Sequence, residues 1–520
     1  MKDEREPAAI HPLVPELVER WRQRRIGRRD FLQAVTRLGV SAAAAYAFVG
    51  GPGAARAQTP AATPKKGGNF RVSMNVKEIA DPAKYDWSEK SNTVRHVIEP
   101  LVQIGPDNVA RPYLAESWQA SSDLKTWTFK LRRGVKWSNG DEFNADDVVA
   151  NVTRWLDPKT GSSNLNRFES MTTSVDTGQK DKDGKPVRST SMTAGAIEKV
   201  DSHTVRFNLN RADVSLPESL ADYPALLVHR NFDQAGGDFS KNPIGTGPFA
   251  LKEFVVGQKA VLTRRSDAAW WGGDVYLDQI TYIDHGDDPA AQVAALASDQ
   301  VDANHQSSIE QVDAIRGIGH LRLYEALTST TGIARMKVDQ KPFDNPLVRR
   351  AIQASIDHDK LLEIVYRGLG AAGEDHHVAP VHPEYVKLPK QTQDYALAKK
   401  LLADAGHASG LKITVDCVAN PTWEQNACKA IAEMLRPAGI DLGININPGG
   451  TYWDRWMTTP MGFTSWAHRP LAVQNLTLAY RSGSKWNESG YSNPEFDKLL
   501  DEASGKIDVA ERRKLMETAP

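Results

Sequence analysis

The sequence predicts an α/β fold that is divided into two or more lobes. The 520 residues exceed what a single hydrophobic core usually holds. A content of 40% hydrophobic and 25% charged residues is that of an ordinary soluble globular protein. Along the second half of the chain, short strands alternate with helices of roughly 10–20 residues, which is typical of α/β units with crossover connections. The net charge of −1 provides no basic surface, so nucleic-acid binding is not expected.

The N-terminal segment has the features of an export signal. The motif GRRDFLQ (27–33) resembles the twin-arginine (Tat) signal, although its first and last residues depart from the usual pattern. The apolar run 38–49 is too short for a bilayer, which needs roughly 20 residues. Ala55-Arg56-Ala57 is a small-x-small pattern that signal peptidases accept. We therefore expect residues 1–57 to direct the chain through the Tat translocase to the periplasm, with cleavage near Ala57, and residues 58–67 to form a flexible leader.

The remaining chain predicts a series of strands and helices. Alternating apolar and polar residues predict strands at 69–75, 117–119, 127–131, 205–209, 261–265, 279–283, 321–324, 412–418 and 442–446. Helical periodicity predicts helices at 91–101, 145–155, 289–298, 346–367 and 424–435. Asn144 is the predicted N-cap of the second helix. The polar segment 172–193 predicts an exposed hairpin loop.

Two cysteines leave one question open. Cys417 ends a predicted strand, and Cys428 lies in the helix that follows. An oxidising compartment permits a disulfide between them. Such positions often diverge, however, and the Cα atoms of a disulfide must lie within about 7 Å. Two buried thiols are the alternative.

Familiar catalytic motifs are missing from the sequence. It contains no HExxH, GxSxG or GxxxxGK[ST] pattern. Gly245-x-Gly247 is followed by Pro248, which lacks the N–H that a phosphate cradle would use. Adjacent carboxylates such as Asp146-Asp147 diverge on a helix. The sequence therefore does not point to an enzyme or to a cofactor, although an exported hydrolase stays an alternative.

One cluster of histidines has the residue types of a metal site. His376 and His377 follow two acidic residues, and His382 lies beyond Pro380. Imidazoles suit nickel, copper or zinc. No fixed helical spacing organises these side chains, so a solvated loop is the preferred interpretation. A metal site and a loop that contacts an organic ligand are the alternatives.

Several sequence blocks resemble those of a known family. The blocks are LAESW (114–118), TWTFKLRRGVKW (126–137), NADDV (144–148), NPIGTGPF (242–249), WWGG (270–273) and FDNPLVRRAI (343–352). In this order they resemble the extracellular solute-binding proteins of the peptide/nickel/opine class, which includes dipeptide- and oligopeptide-binding proteins. These proteins are the substrate-capturing components of ABC importers. The resemblance covers residues from about 68 to 520.

The resemblance implies a two-lobe, type II-like periplasmic binding protein fold around a cleft, with an extra subdomain inserted in the first lobe. It places the main sheet of the first lobe in 68–105, 229–330 and 466–520. The inserted subdomain would be 106–228, and the second lobe 331–465. It also implies that a final strand is missing after Pro520.

The segment FTSWAHRP (463–470) falls at the second predicted crossover between the lobes. Relatives that bind dipeptides carry an aspartate shortly after the tryptophan, which holds the α-ammonium group of the ligand. Here His468 and Arg469 occupy that place, and no acid follows until Glu488. A guanidinium matches a carboxylate or phosphate, and Trp466 offers a flat apolar wall. We therefore expect a ligand with an anionic or hydroxyl-rich end. The alternative is that Trp466 belongs to the core and Arg469 pairs with a neighbouring acid.

The implied function is capture of a small organic solute by cleft closure. Further candidate ligand contacts, beside Trp466, His468 and Arg469, are Tyr85, Trp87, Thr330, Thr331, Trp453 and Trp456. The solute would be a peptide, an opine-like conjugate or an oligosaccharide, and it would favour the closed state because it bridges both lobes. The expected partner is an ABC permease in the inner membrane, and the expected state is a monomer without cofactor. A nickel or metal-chelate binder of the same fold, using His376, His377 or His382, is the alternative.

Overall fold

The computed structural model describes residues 13–22, 27, 31, 34–35, 64–180, 186–267 and 269–518. The chain divides into two compact units, which are Met1–Gln306 with Ser504–Val509 (unit 1) and Ser307–Ala503 with Ala510–Pro520 (unit 2). The lobe boundaries expected from the family resemblance lie at 330/331 and 465/466, and they stay a prediction. The twin arginines, the apolar run 38–49 and the cleavage site of the expected signal lie outside the described residues. No helix in the described ranges has the length and apolarity to cross a membrane.

The central sheet of unit 1 has five strands, which are β1 (Asn69–Ser73), β10 (Phe249–Val255), β11 (Lys259–Arg264), β12 (Gln279–Ile283) and β13 (Ala303–Asn304). Their order in the sheet is β10-β11-β12-β1-β13. β1 is parallel to β12 and β13, whereas β11 is antiparallel to its neighbours. Inward-facing Val72, Leu262 and Ile280 are buried in one hydrophobic core with Phe249 and Tyr85. The predicted strands 69–75, 261–265 and 279–283 are confirmed.

A second sheet of unit 1 lies entirely between β1 and β10 in the sequence. Its strands follow the order β4-β5-β9-β8, with β4 (Ala115–Ala120), β5 (Thr126–Leu131), β8 (Ile197–Asp201) and β9 (Thr204–Asn208). Helix α3 (Ala145–Leu156) packs on β8 and β9. Its predicted N-cap is confirmed, because the Asn144 side chain accepts from the Asp146 N–H and Asp147 accepts from the Asn144 N–H. The segment predicted as an exposed hairpin loop forms the paired strands β6 (Thr172–Lys180) and β7 (Pro186–Met192).

The other helices and strands of unit 1 are short. They are α1 (Leu13–Arg22), α2 (Ser88–Val94), α4 (Leu216–Ser219), α5 (Pro289–Ala297), β2 (Val102–Ile104) and β3 (Ala110–Pro112). The helix predicted at 91–101 is therefore shorter and begins earlier than expected.

The sheet of unit 2 has four strands, which are β14 (Thr331–Met336), β15 (Leu411–Val418), β16 (Ile440–Asn447) and β17 (Met461–Trp466). Their order in the sheet is β14-β17-β15-β16. β15 is parallel to β16 and β17, and β14 is antiparallel to β17. Helix α10 (Thr422–Leu435) packs against this sheet with a buried apolar face. The predicted β15–α10–β16 succession is confirmed.

Unit 2 also contains eight helices among the residues that the structure describes. They are α6 (Val312–Arg316), α7 (Pro346–Ala354), α8 (His358–Tyr366), α9 (Tyr395–Asp404), α11 (Gly449–Arg455), α12 (Ala472–Tyr480), α13 (Pro494–Ser504) and α14 (Val509–Thr518). The single helix predicted at 346–367 is wrong, because Asp357 caps a new helix by accepting from the Lys360 N–H. The strand predicted at 321–324 is also wrong, since that segment has no regular structure and Tyr324 is exposed.

The two cysteines are free thiols in the structure. Cys417 on β15 and Cys428 on α10 are both buried. A hydrogen bond joins the two side chains, which lowers the pKa of Cys417 and raises that of Cys428. Of the two alternatives left open by the sequence, the structure has the pair of buried thiols.

Candidate ligand-binding site

Three parallel strands of unit 2 end at the same edge of its sheet. Val418 of β15 is the register partner of Asn447 of β16, so these two strands end together. The antiparallel β14 begins at this edge, because Thr331 is the partner of Trp466 at the end of β17. Ligands of open α/β sheets bind outside the carboxyl ends of the strands. We call this region the carboxyl edge; it comprises residues 329–331, 419–425, 448–456 and 465–469.

Tryptophans dominate the carboxyl edge. Trp453 and Trp456 lie on and just after α11, which follows β16, and Trp466 is the last residue of β17. The ring centroids of Trp453 and Trp456 are 5.8 Å apart, and those of Trp456 and Trp466 are 6.5 Å apart. Trp453 is 37% exposed, whereas Trp466 is 4% exposed. The edge thus presents the accessible indole of Trp453, the half-buried indole of Trp456 and the buried indole of Trp466.

A buried glutamate fixes the orientation of these indoles. Glu488 Oε1 accepts from Trp466 Nε1 at 2.7 Å, and Glu488 Oε2 accepts from Trp456 Nε1. Arg335 Nε donates to Oε2 at 2.9 Å and forms an ion pair in which both side chains are buried. Burial raises the pKa of Glu488, and the charge of Arg335 and the indole hydrogen bonds oppose that rise. The Trp466 ring is therefore held by a hydrogen bond to a buried group.

Arg469 is a buried cation beside Trp466. It is 4% exposed, and its Nη1 donates to Asn475 Oδ1 at 3.1 Å and to the Ala467 carbonyl at 3.2 Å. The guanidinium carbon lies 5.7 Å from the ring centroids of both Trp466 and Trp486. A cation between two aromatic faces is stabilised by the ring quadrupoles. These contacts hold the guanidinium in place.

The segments before β14 and after β17 are joined by hydrogen bonds. The Ser329 hydroxyl accepts from the Arg469 N–H at 3.0 Å and donates to the Arg469 carbonyl at 3.1 Å. The Ser329 N–H donates to His468 Nδ1 at 3.0 Å. Thr330 is exposed, and Thr331 is half-buried. The structure thus brings together two segments that the sequence predicted as ligand contacts, one with Thr330 and Thr331 and the other with Trp466, His468 and Arg469.

Two predicted contacts belong to unit 1. Tyr85 is 1% exposed and donates from its hydroxyl to the Ile79 carbonyl at 3.1 Å. Burial raises the pKa of this phenol. Trp87 is 37% exposed, and Lys77 Nζ lies 5.1 Å from its ring centroid. Tyr85 is therefore part of the unit 1 core, and Trp87 has an accessible face.

His377 and His382 of the loop 374–382 are buried, so the preferred interpretation of a solvated loop is wrong for these two side chains. The His377 ring centroid is 4.6 Å from that of Trp466, and its Nδ1 lies 2.8 Å from the Tyr480 hydroxyl. Burial, aided by the charge of Arg469, lowers the pKa of His377 to about 3. His382 accepts from the Ala379 N–H at Nδ1, and its Nε2 donates to the Arg469 carbonyl. Within the described ranges, no group of three or more His, Cys, Asp or Glu side chains is arranged to hold a metal. His376 is therefore not part of such a group.

The sequence reasoning missed one part of the carboxyl edge. Trp423 and Glu424 lie in the first turn of α10. Glu424 Oε1 accepts from the Ser465 hydroxyl at 2.7 Å, and burial raises the pKa of Glu424 to about 7. A Cβ atom on Gly332 would lie 3.0 Å from the Trp423 ring, so this indole rests directly on the β14 backbone. The sequence contained a signal for this part of the edge. The connection between the predicted strand 412–418 and the predicted helix 424–435 must lie at the end of a strand.

The fold is that of the two-lobe periplasmic binding proteins. Residues 110–488 match the model of the bacterial extracellular solute-binding proteins, family 5 middle region. The chain belongs to this family, whose members are the solute-capturing components of ABC importers. The family and the function class predicted from the sequence blocks are thereby confirmed.

Comparison with individual proteins agrees with this assignment. The chain is 27% identical to heme-binding protein A of Haemophilus influenzae over 78% of this chain and 76% of that protein. It is 27% identical to di/tripeptide-binding protein 1 of Pseudomonas aeruginosa over 84% and 83%. The solved structure of the periplasmic binding protein DppA from Helicobacter pylori in complex with the peptide STSA has a TM-score of 0.72, with 23% identity, and the match covers 88% of this chain and 90% of that one. The predicted two-lobe fold is confirmed.

Proposed function

We propose that the protein binds a peptide-type solute at the carboxyl edge of unit 2, in the periplasm, and delivers it chemically unchanged to an ABC permease. The main support is that four separate chain segments meet at this edge, and that three of them supply Trp453, Trp466, Arg469 and Glu424. Flat apolar walls beside fixed charges suit a small organic solute with polar ends. Capture needs no bond-making residue.

The charges at the edge favour a solute with a carboxylate. Arg469 holds its guanidinium against two indole faces, and its planar fork of donors matches a carboxylate. Trp453 has the exposure needed to stack on a side chain or a backbone amide of the solute. Relatives named for di- and tripeptides and a neighbour solved with a bound peptide support a peptide over an oligosaccharide.

Export and closure complete the proposal. The twin-arginine motif supports delivery of a monomer through the Tat translocase, with cleavage near Ala57. Replacing Arg28 and Arg29 with lysines should leave the precursor in the cytoplasm, and mature protein in the periplasm of that variant would contradict Tat export.

We infer that the solute favours a closed state, because a ligand shifts a conformational equilibrium only through its differential affinity.

Native mass spectrometry of freshly purified protein tests the function. We expect a fraction of the molecules to carry a non-covalent adduct with the mass of a short peptide or amino-acid conjugate. Fragmentation of the released adduct would identify it. A protein that carries no adduct and binds no member of a peptide, opine or oligosaccharide library would contradict the proposal.

A further inference from the structure

Helix α1 (Leu13–Arg22) is packed, although it lies before the expected cleavage site of the export signal. Its apolar residues recur at the spacing of one helix face. Three of them are buried: Val14, Leu17 and Val18. An isolated helix of 10 residues is marginal in water, so this helix depends on the surface that covers its apolar face. The segment that precedes the export motif is therefore part of the packed structure.

An ion pair joins α1 to the last part of the chain. Arg20 Nη1 donates to Asp508 Oδ2, and 488 positions separate the two residues in the sequence. The side chain of Asp508 is 11% exposed and that of Arg20 is 33% exposed, so the pair is partly shielded from solvent. Ile507 and Val509, on either side of Asp508, are buried. Both partners belong to unit 1, and the pair therefore marks a point where the N-terminal segment contacts the mature chain.

The aromatic residue of the export motif is buried as well. Phe31 belongs to GRRDFLQ (27–33), and its exposed fraction is 0%. Its ring centroid lies 5.6 Å from that of Trp21 on α1. Ala34 and Val35, three and four positions further on, are also buried. The twin arginines lie outside the described residues. Phe31 is thus covered in the folded precursor, and α1 supplies part of the cover.

We propose that the surface of unit 1 around Asp508 is a docking site for the chain's own export segment, and that docking of α1 there masks the export motif. The inference rests on the proposed Tat export. A twin-arginine signal is an address that a receptor reads, and a receptor cannot contact a side chain that is buried within the precursor. The translocase therefore recognises only an open state, in which α1 has left this surface and Phe31 is exposed.

Masking predicts how the docked state limits export. The apparent affinity of a receptor for its target falls in proportion to the fraction of target molecules that is competent to bind. A substitution that weakens docking raises that fraction, even where it lies in the mature chain and leaves the signal itself unaltered. The rate of export should therefore depend on Asp508, which is remote from the signal in sequence.

The first test uses the unaltered full-length precursor, produced in cells that lack the Tat translocase. Hydrogen–deuterium exchange of the folded precursor is compared with that of the same precursor unfolded in urea, by mass spectrometry of peptides that cover 13–22 and 27–35. We expect both segments to exchange at least tenfold more slowly in the folded precursor, because docking protects their amides. Because this readout needs no variant, it decides the docking even where a variant fails to fold.

Charge reversal then tests the effect of docking on export, which is followed by pulse–chase labelling of precursor and mature protein. Asp508→Arg opposes the charge of Arg20 and should raise the export rate roughly two- to fivefold. Glu502→Arg is the matched control, because it makes the same change of charge at an exposed residue of α13 that pairs with Lys498. That control should be exported as the wild type is.

Two further variants keep the test independent of the stability of the mature chain. Arg20→Asp repels Asp508 without altering any residue after the cleavage site, and it should accelerate export as Asp508→Arg does. The double variant Arg20→Asp/Asp508→Arg restores opposite charges, so it should return the export rate and the amide protection of α1 to their wild-type values.

Two outcomes would overturn the proposal. They are exchange of the α1 amides at the rate of the unfolded precursor, and a wild-type export rate in Arg20→Asp. The variant with lysines in place of Arg28 and Arg29 separates this proposal from the proposed export route. If that variant is retained in the cytoplasm while either outcome is observed, Tat export stands and only the masking is removed. If it is exported normally, the route itself fails.

Discussion

Thr331 and Trp466 are register partners, at the first residue of β14 and the last residue of β17. The two segments that the sequence predicts as crossovers therefore run side by side. The hydrogen bonds between Ser329 and Arg469 continue the contact between the two segments beyond the ends of the strands. A substitution in either segment is expected to change the conformation of the other, because they share these bonds.

Removing the guanidinium of Arg469 should weaken solute binding. We expect Arg469→Ala to raise the dissociation constant by an amount equivalent to about 2–4 kcal/mol, as for truncation of one partner of a buried charge pair. Isothermal titration calorimetry with the solute identified by mass spectrometry measures this change in the dissociation constant. Arg436→Ala is the control, since Arg436 pairs with Glu433 on an exposed surface. An unchanged dissociation constant would remove Arg469 from the site.

Breaking the buried ion pair below Trp466 should destabilise the protein. Arg335→Met leaves Glu488 buried without its cation, which should cost about 3–5 kcal/mol of unfolding free energy. Chemical denaturation followed by circular dichroism measures this loss. The double variant Arg335→Met/Glu488→Leu should recover much of it, because no charge is then left unpaired. A single variant as stable as the wild type would show that the pair adds nothing.

The stability of the protein should depend on the protonation of Glu424. Its pKa is about 7 in the folded protein against an ordinary value of 4.5. A carboxyl group with a raised folded pKa holds its proton in the folded state, so the stability it contributes is complete below pH 4.5 and is lost as the pH rises through 7. We expect Glu424→Gln to exceed the wild type in unfolding free energy by up to about 3 kcal/mol at pH 8, at 1.36 kcal/mol per pH unit. Denaturation curves at pH 4.5 and pH 8 that show the same difference between the two proteins would contradict this.

Adding a methyl group at Gly332 should disturb the carboxyl edge. A Cβ atom there would lie 2.7 Å from the Phe463 ring and 3.0 Å from the Trp423 ring, and both rings are large and packed. We expect Gly332→Ala to cost about 1–3 kcal/mol of stability, as overpacking does, and to weaken solute binding. Gly373→Ala is the control, because no atom lies within 4 Å of its added Cβ. Thermal melts of the two variants that coincide would argue against the close contact.

Much of the fold was predictable from the sequence because it depends on local patterns. The strands β1, β12 and β15 show clear alternation, and Asn144 followed by Asp147 is a capping signal that needs no tertiary information. The break after Ala354 was missed because Val348, Ile352 and Ile356 continue a helical stripe across it. Asp357 starts the next helix through its side chain, and that preference is weaker than the apolar period.

The site was predictable only in part, for a physical reason. The segment FTSWAHRP (463–470) was predicted as a ligand contact from its residue types. In the structure its Trp466 is the register partner of Thr331, which belongs to the other predicted crossover. Glu424 was missed because its place at the carboxyl edge depends on burial and on a hydrogen bond to Ser465, 41 residues away in sequence. Burial and long-range partners are properties of the packed chain. A single sequence does not display them.

The order of strands in unit 1 has a consequence for synthesis. β1 pairs with β12 and β13, so the ribosome must extend the chain from Asn69 to Ile283 before this strand acquires its first neighbour, and to Asn304 before it acquires the second. The β4-β5-β9-β8 sheet, whose strands all fall between those points, has its complete set of partners much sooner. While β1 waits, its backbone amide and carbonyl groups are open to a chaperone or to a foreign strand. The nascent chain thus has a defined interval in which it needs protection, and that interval closes when β13 leaves the exit tunnel.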